Sequence, residues 1–88
     1  MNMQRNSEFR ILCVEDEQAI RRDIVEELRE CGFTVEEAAD GADALEAVDR
    51  VHPHLIISDI QMPNLDGHGL LAALRSRKDA SADIPFIS

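Results

Sequence analysis

The stretch HLIISDIQMPNLDG, residues 54–67, decides the fold of this chain. Its apolar run Leu55–Ile57 is followed by one small serine and stops on a carboxylate, Asp59. A proline follows four residues later, and an Asp-Gly pair then favours a sharp turn. A short apolar run without alternation, bounded by turn residues, is typical of a parallel strand covered on both faces. We therefore predict a buried strand over residues 55–58 that carries Asp59 at its carboxyl end.

Three more strands and three helices are predicted around this strand. Apolar runs indicate strands at residues 10–14, 33–38 and 84–88, and the segments between strands have apolar residues at helical spacing. Gly32 is the expected stop of the first helix and Asp40 the expected N-cap of the second. The apolar faces expected of the three helices are formed by Ile20, Ile24 and Leu28, by Leu45, Val48 and Val51, and by Leu70, Leu71 and Leu74.

The order β-α-β-α-β-α-β indicates the fold class. Strands that alternate with helices pair in parallel through right-handed crossovers, which predicts a doubly wound α/β fold with helices on both faces of the sheet. We assign residues 10–88 to this single domain and residues 1–9 to a flexible tail. Ligands of such folds bind beyond the carboxyl ends of the strands, so that edge is where functional residues are expected.

The composition excludes several classes of function. Eighteen acidic residues against nine basic ones give a formal charge of −9, which argues against a nucleic-acid-binding surface. No apolar run approaches the roughly 20 residues of a membrane span, and the polar residues 1–10 lack the apolar region expected of a secretory signal. The two cysteines, Cys13 and Cys31, form no CxxC pair and are interpreted as thiols of a cytosolic protein. The acidic excess suits a protein whose ligands are cations.

Acidic residues follow two of the predicted strands. Glu15 and Asp16 come directly after the first strand, and Asp59 comes after the third. If these two strands are neighbours, the three carboxylates meet at one edge and repel one another unless a proton or a cation lies among them. Hard oxygen ligands suit Mg²⁺, which also accepts phosphate oxygens. Glu17 is interpreted instead as an acid in the first turn of a helix.

From Ile11 onward the chain resembles the receiver domain of two-component response regulators, a CheY-like family with a flavodoxin-like fold. Three elements carry the resemblance and occur in the family's order and spacing. Val14-Glu15-Asp16-Glu17 resembles the acidic pair after strand one, and Asp40-Gly41 with Ala44-Leu45 resembles the opening of the second helix. The third element, Asp59-x-x-x-Pro63-x-x-Asp66-Gly67, resembles the phosphoacceptor loop.

The resemblance implies a role for each matching residue. Asp59 would accept a phosphoryl group from a histidine kinase, a phosphotransfer protein or a small acyl phosphate. Mg²⁺, or Mn²⁺, would be bound by Asp16, by Asp59 and by the backbone carbonyl of Gln61, with Glu15 acting through a water. The protein would be a cytoplasmic bacterial switch that catalyses only its own phosphorylation and dephosphorylation.

The chain departs from the family at its end. A receiver normally has five strands and five helices, whereas this sequence stops within the fourth strand. Two explanations stay open: the residues belong to a longer chain with an output domain beyond Ser88, or they form a short product that pairs with another copy. Ser88 and Lys78 do not occupy the positions of the family's switch hydroxyl and lysine. Without the family's last helix, part of the first helix's apolar stripe would be uncovered, which favours self-association.

One alternative function stays open, and three others are disfavoured by the sequence. A receiver-like interaction module that is never phosphorylated is the alternative to a phosphorylated switch. A phosphatase of the haloacid dehalogenase type would need an aspartate where Gln61 stands, and a dinucleotide-binding domain would need glycines where Glu15–Glu17 stand. A transition-metal site formed by His52, His54 and His68 is disfavoured, because the first two belong at the amino end of the third strand, away from Asp59.

Overall fold

A computed structural model of the protein describes residues 8–59 and 67–88. In chain order its elements are β1 (Arg10–Val14), α1 (Gln18–Glu30), β2 (Thr34–Ala38), α2 (Gly41–Val51), β3 (Leu55–Ser58), α3 (Gly67–Arg75), a 3-10 helix (Ala80–Asp83) and β4 (Phe86–Ile87). The predicted alternation of strands and helices is confirmed. The 3-10 helix was not predicted, and the fourth strand is shorter than the run 84–88 because Ile84 and Pro85 precede it.

The four strands form one parallel sheet in the order β2-β1-β3-β4. β1 pairs with β2 and β3 in a register that places Val14 opposite both Ala38 and Ser58. The carboxyl ends of the three strands are therefore level with one another. The predicted doubly wound fold, with β1 and β3 as neighbours, is confirmed.

Alternate residues of β1 face two separate apolar clusters. Leu12 and Val14 belong to the larger cluster, which lies between the sheet and helices α2 and α3. Cys13 belongs to the smaller cluster, which lies between the opposite face of the sheet and α1. Because a strand's side chains alternate between faces, a run of consecutive apolar residues is what a sheet covered on both sides requires.

The buried face of α1 differs from the predicted stripe. Val25 is its fully buried residue, whereas Ile20 is 44% exposed, and Ile24 and Leu28 are half-buried. Apolar residues spaced four apart shift by about 40° around a helix of 3.6 residues per turn, so the stripe moves around α1 along its length. Ile20, five residues before Val25, lies about 140° around the helix from it. The apolar stripe therefore faces away from the sheet at the amino-terminal end of α1.

Small residues form the buried face of α2. Ala44, Ala47 and Val48 are buried, whereas Leu45 and Val51, which we expected to face inward, are half-buried. Alanines let the helix axis approach the sheet closely, and the larger side chains then lie at the rim of the contact. In α3 the prediction holds for Leu70 and Leu74, which are fully buried, and not for Leu71, which is half-buried.

The predicted helix ends are confirmed by their cap geometry. The Asp40 carboxylate accepts a hydrogen bond from the Asp43 N–H at 2.8 Å, as an N-cap does. Gly32 has a φ of 96°, the left-handed conformation that ends α1 and that glycine adopts without a steric penalty. His52 ends α2 with a φ of 53°, immediately before Pro53.

Phe9, which we assigned to the tail, packs on the amino edge of the sheet. The centroid of its ring lies 5.0 Å from that of the stacked His54 ring and 5.9 Å from that of the Phe33 ring. Residues 1–7 lie outside the described residues, so the boundary between tail and domain stays a prediction. Every helix within residues 8–59 and 67–88 is too short or too polar to cross a membrane.

Candidate functional site

Strands β1 and β3 bring two carboxylates to the same edge of the sheet. Val14 and Ser58 are paired in register, and the next residues along the chain are Glu15 and Asp59. The Asp59 N–H donates to the Val14 carbonyl at 3.0 Å, and the Glu15 N–H donates to the Ala38 carbonyl at 3.1 Å. Sheet-like hydrogen bonding therefore continues one residue past each strand and fixes both backbones.

Glu15, Asp16 and Asp59 form a cluster in which one carboxylate oxygen of each lies within 4.8 Å of the others. Glu15 is buried, Asp59 is half-buried and Asp16 is exposed. Among residues 8–59 and 67–88, these three form the one group of acidic, histidine or cysteine side chains close enough to share a metal ion. The convergence predicted from the strand ends is confirmed.

Negative charge is concentrated at this cluster. Burial raises the pKa of Glu15, and the neighbouring carboxylates of Asp16 and Asp59 raise it further. A hydrogen bond from the Glu17 N–H to Glu15 Oε2, at 3.1 Å, acts in the opposite direction. An arrangement that disfavours a carboxylate's own charge is one that a bound cation would stabilise.

The donors of the cluster fit a hard divalent cation. All three side chains offer carboxylate oxygens, the ligands that Mg²⁺ and Mn²⁺ prefer. Two of the three come from strand ends whose backbones are fixed, and the exposed Asp16 leaves one side open to solvent. An open side suits a metal that keeps several waters or exchanges them for the oxygens of a ligand.

The other residues named from the sequence fall into two groups. Gln61, Pro63 and Asp66 lie outside the described residues. The histidines are described: the His54 ring accepts a hydrogen bond at Nδ1 from the Arg10 N–H, at the amino end of β1, and His68 is exposed on α3. His54 therefore lies at the opposite end of the strands from Asp59, as predicted.

Sequence reasoning missed Arg21. Its guanidinium donates to the Glu15 carbonyl at 2.7 Å and to the Glu37 carboxylate at 3.1 Å. In the sequence this arginine is one of several charged residues on the polar side of α1. Its position one turn into the helix that follows Glu15 was the available signal, since a long side chain there can reach back to the preceding loop.

The buried thiol of Cys13 lies next to the same cluster. Burial raises its pKa to about 11, and the charges of Glu15 and Glu37 add to this effect while that of Arg21 opposes it. The thiol therefore stays protonated at neutral pH. Cys13 packs as an apolar core residue behind the acidic site.

Comparisons with known proteins agree with this geometry. Residues 11–88 match the family model described as the response regulator receiver domain. The chain is 43% identical over 78 residues to a probable transcriptional regulator ycf27 of Porphyridium aerugineum, covering 89% of this chain and 31% of that protein. It is 42% identical over 79 residues to the sensor kinase CckA of Brucella abortus, covering 88% of this chain and 8% of that protein.

A solved structure shows the same fold. The N-terminal domain of a response regulator receiver protein from Methanoculleus marisnigri JR1 superposes with a TM-score of 0.83 at 32% identity. The match covers 89% of this chain and 63% of that one. The chain thus spans about a third of the ycf27 regulator and under two thirds of this solved receiver.

Proposed function

The chain belongs to the response regulator receiver domain family, and from this premise we propose that Asp59 accepts a phosphoryl group in a reaction that depends on Mg²⁺. Receivers of this kind belong to two-component signalling systems. The observation that carries the proposal is the convergence of Glu15, Asp16 and Asp59, whose oxygens lie within 4.8 Å of one another.

The position of Asp59 suits a nucleophile. Its backbone is fixed by the hydrogen bond to Val14, and its side chain is half-buried at the rim of the sheet. A fixed backbone and a half-buried side chain reduce the conformational freedom that the carboxylate would lose during the reaction. The open side next to Asp16 provides the path by which a phosphoryl donor reaches it.

The residues of the cluster would bind the metal in two different ways, directly and through a water. Asp16, Asp59 and the backbone carbonyl of Gln61 would bind Mg²⁺ or Mn²⁺ directly, and Glu15 would act through a water. The bound cation would neutralise the repulsion between an attacking carboxylate and the phosphoryl oxygens. Glu15 is the most buried of the acids and accepts the Glu17 N–H, so it is held back from the open side.

The proposed partner is a histidine kinase or a phosphotransfer protein that donates the phosphoryl group. The likeness to the sensor kinase CckA and to ycf27 regulators supports a role within such signalling proteins. On this proposal the protein acts as a switch whose chemistry is confined to its own phosphorylation and dephosphorylation.

Binding of beryllofluoride, a mimic of the phosphoryl group, tests the proposal. With Mg²⁺ present, we expect amide NMR shifts around Asp59 in the wild type and none in Asp59→Asn. Asp83→Asn is the matched control, because Asp83 is exposed in the 3-10 helix that precedes β4, at the amino edge of the sheet. It should respond like the wild type.

Beryllofluoride binding and a second assay, labelling by acetyl phosphate, together separate the proposal from its rival, a receiver-like interaction module that is not phosphorylated. Acetyl phosphate should label the wild type and Asp83→Asn with acid-stable, base-labile phosphate and should leave Asp59→Asn unlabelled. A folded wild type that neither binds beryllofluoride nor accepts phosphate would favour the interaction module.

A further inference from the structure

We propose that Arg21 is a positioning residue that holds the loop between β1 and α1 and thereby sets the direction in which Asp16 is presented to the metal. The inference rests on the proposed function for its metal-binding consequence. Its structural consequence, an ordered loop at residues 15–17, is independent of that function.

Arg21 makes two contacts that link three elements. From α1, its Nη1 donates to the Glu15 carbonyl at 2.7 Å and its Nε donates to the Glu37 carboxylate of β2 at 3.1 Å. Its side chain is only 15% exposed, whereas that of Arg29 on the same helix is 53% exposed. Arg21 is therefore the more enclosed of the two arginines, and its guanidinium is held at both ends.

The contact with Glu15 completes the hydrogen bonding of that residue. The Glu15 N–H donates to Ala38, and its carboxylate accepts from the Glu17 N–H. Its carbonyl is the remaining backbone group, and Arg21 binds it. The Glu15 carbonyl belongs to the peptide plane shared with Asp16, so fixing the carbonyl fixes the backbone from which the exposed Asp16 side chain extends.

The geometry favours an arginine over a lysine at position 21. A guanidinium presents several N–H donors in a planar fork and can reach a carbonyl and a carboxylate at once. A lysine at position 21 would keep the charge, but its single ammonium group would satisfy these two acceptors with poorer geometry. Arg21→Lys therefore separates the effect of charge from that of position.

Charge and position predict opposite outcomes when Arg21 is removed. Loss of a cation bound to the Glu15 backbone leaves the protein more negative near the cluster, and this should strengthen Mg²⁺ binding. Loss of the bond to the Glu15 carbonyl loosens the loop and should weaken Mg²⁺ binding, since residues that orient metal ligands typically change metal affinity by about 10–100-fold. Weaker binding is therefore the signature of positioning.

The test compares Arg21→Gln and Arg21→Lys with Arg29→Gln. Arg29 is a matched control, because it also lies on α1, also pairs with Glu37 and also donates to a backbone carbonyl, that of Val35. Mg²⁺ titration followed by NMR should show affinity about tenfold weaker in Arg21→Gln, a smaller loss in Arg21→Lys, and a change within about twofold in Arg29→Gln. Hydrogen exchange without metal should accelerate at the Asp16 and Glu17 amides in the Arg21 variants only.

The two measurements keep this inference distinct from the proposed function. Unchanged or stronger Mg²⁺ binding in both Arg21 variants, or equal loop exchange in all three variants, would overturn the positioning role. A wild type that does not bind Mg²⁺ would refute the proposed function, while the exchange comparison would still decide whether Arg21 orders the loop. If Arg21→Gln does not fold, Arg21→Lys carries the test.

Discussion

The Asp59 N–H donates to the Val14 carbonyl at 3.0 Å, so the acid after the third strand is hydrogen-bonded to the residue that precedes Glu15 in the first strand. This bond extends the pairing of β1 with β3 beyond the last register pair, Val14 and Ser58. The acidic cluster is consequently built on paired backbone. The positions of the three carboxylates depend on the pairing of β1 with β3. Repulsion among the carboxylates lowers the stability of the folded protein.

Mg²⁺ binding should depend more on Asp16 than on Glu15. We expect Asp16→Ala to weaken binding by more than Glu15→Ala does, because Asp16 faces the open side whereas Glu15 is buried and bonded to the Glu17 N–H. NMR titration of the two variants against the wild type checks this. Equal losses from the two substitutions would show that the direct and water-mediated roles are wrongly assigned.

Removing the charge of Glu15 should stabilise the metal-free protein at neutral pH. The folded state raises the pKa of Glu15 above its ordinary value of 4.5, so the folded chain holds this proton more tightly than the unfolded chain. The contribution of Glu15 to the stability of the wild type should therefore fall as the pH rises from 4.5 through the raised value. Glu15→Gln lacks this ionisation and should be about 1 kcal/mol more stable at pH 7, the size of one close repulsion in water.

Urea unfolding of the wild type and Glu15→Gln between pH 4 and pH 8 measures that difference. The two stabilities should converge at the acidic end and separate as the pH rises. Mg²⁺ should reduce the gap, because it binds the wild-type cluster more strongly. A gap that is constant across the pH range would mean that ionisation of Glu15 is not its cause.

The two thiols should differ in reactivity. Cys31 is exposed, whereas Cys13 is buried and has a pKa raised to about 11, so almost none of it is thiolate at pH 8. One thiol per chain should react rapidly with a disulfide reagent in the native state, and two should react after denaturation. Cys31→Ser should abolish the rapid phase, and a rapid phase that survives this substitution would contradict the burial of Cys13.

Val25 should contribute more to stability than Ile20, although both lie on α1. Val25 is 2% exposed and Ile20 is 44% exposed. Val25→Ala should cost about 2 kcal/mol through lost burial and an incompletely filled space, and Ile20→Ala should cost less than about 0.5 kcal/mol. Thermal or urea unfolding decides this, and a larger cost at Ile20 would restore the stripe predicted from the sequence.

Local patterns in the sequence were sufficient to predict the first three strands, the three α-helices and two of the helix ends, but not the 3-10 helix or the start of β4. The apolar run that stops at Asp59, the N-cap Asp40 and the stop Gly32 act through neighbouring backbone groups, so they can be identified without knowledge of the fold. The alternation of strands and helices left few possible topologies of the sheet. The acids that follow two of the strands indicated that the functional site lies at the carboxyl edge of the sheet.

Only the tertiary structure decided which side chains meet across the sheet. The choice of Ala44 and Ala47 as the buried face of α2 depends on how closely a helix axis approaches the sheet, which spacing along the chain does not specify. The link from Arg21 to the Glu15 carbonyl and to Glu37 depends on the order β2-β1-β3, because that order places the ends of β1 and β2 side by side beneath α1. Contacts between different elements arise from packing, and that is why the sequence indicated the acids of the site but not the arginine that binds the Glu15 carbonyl.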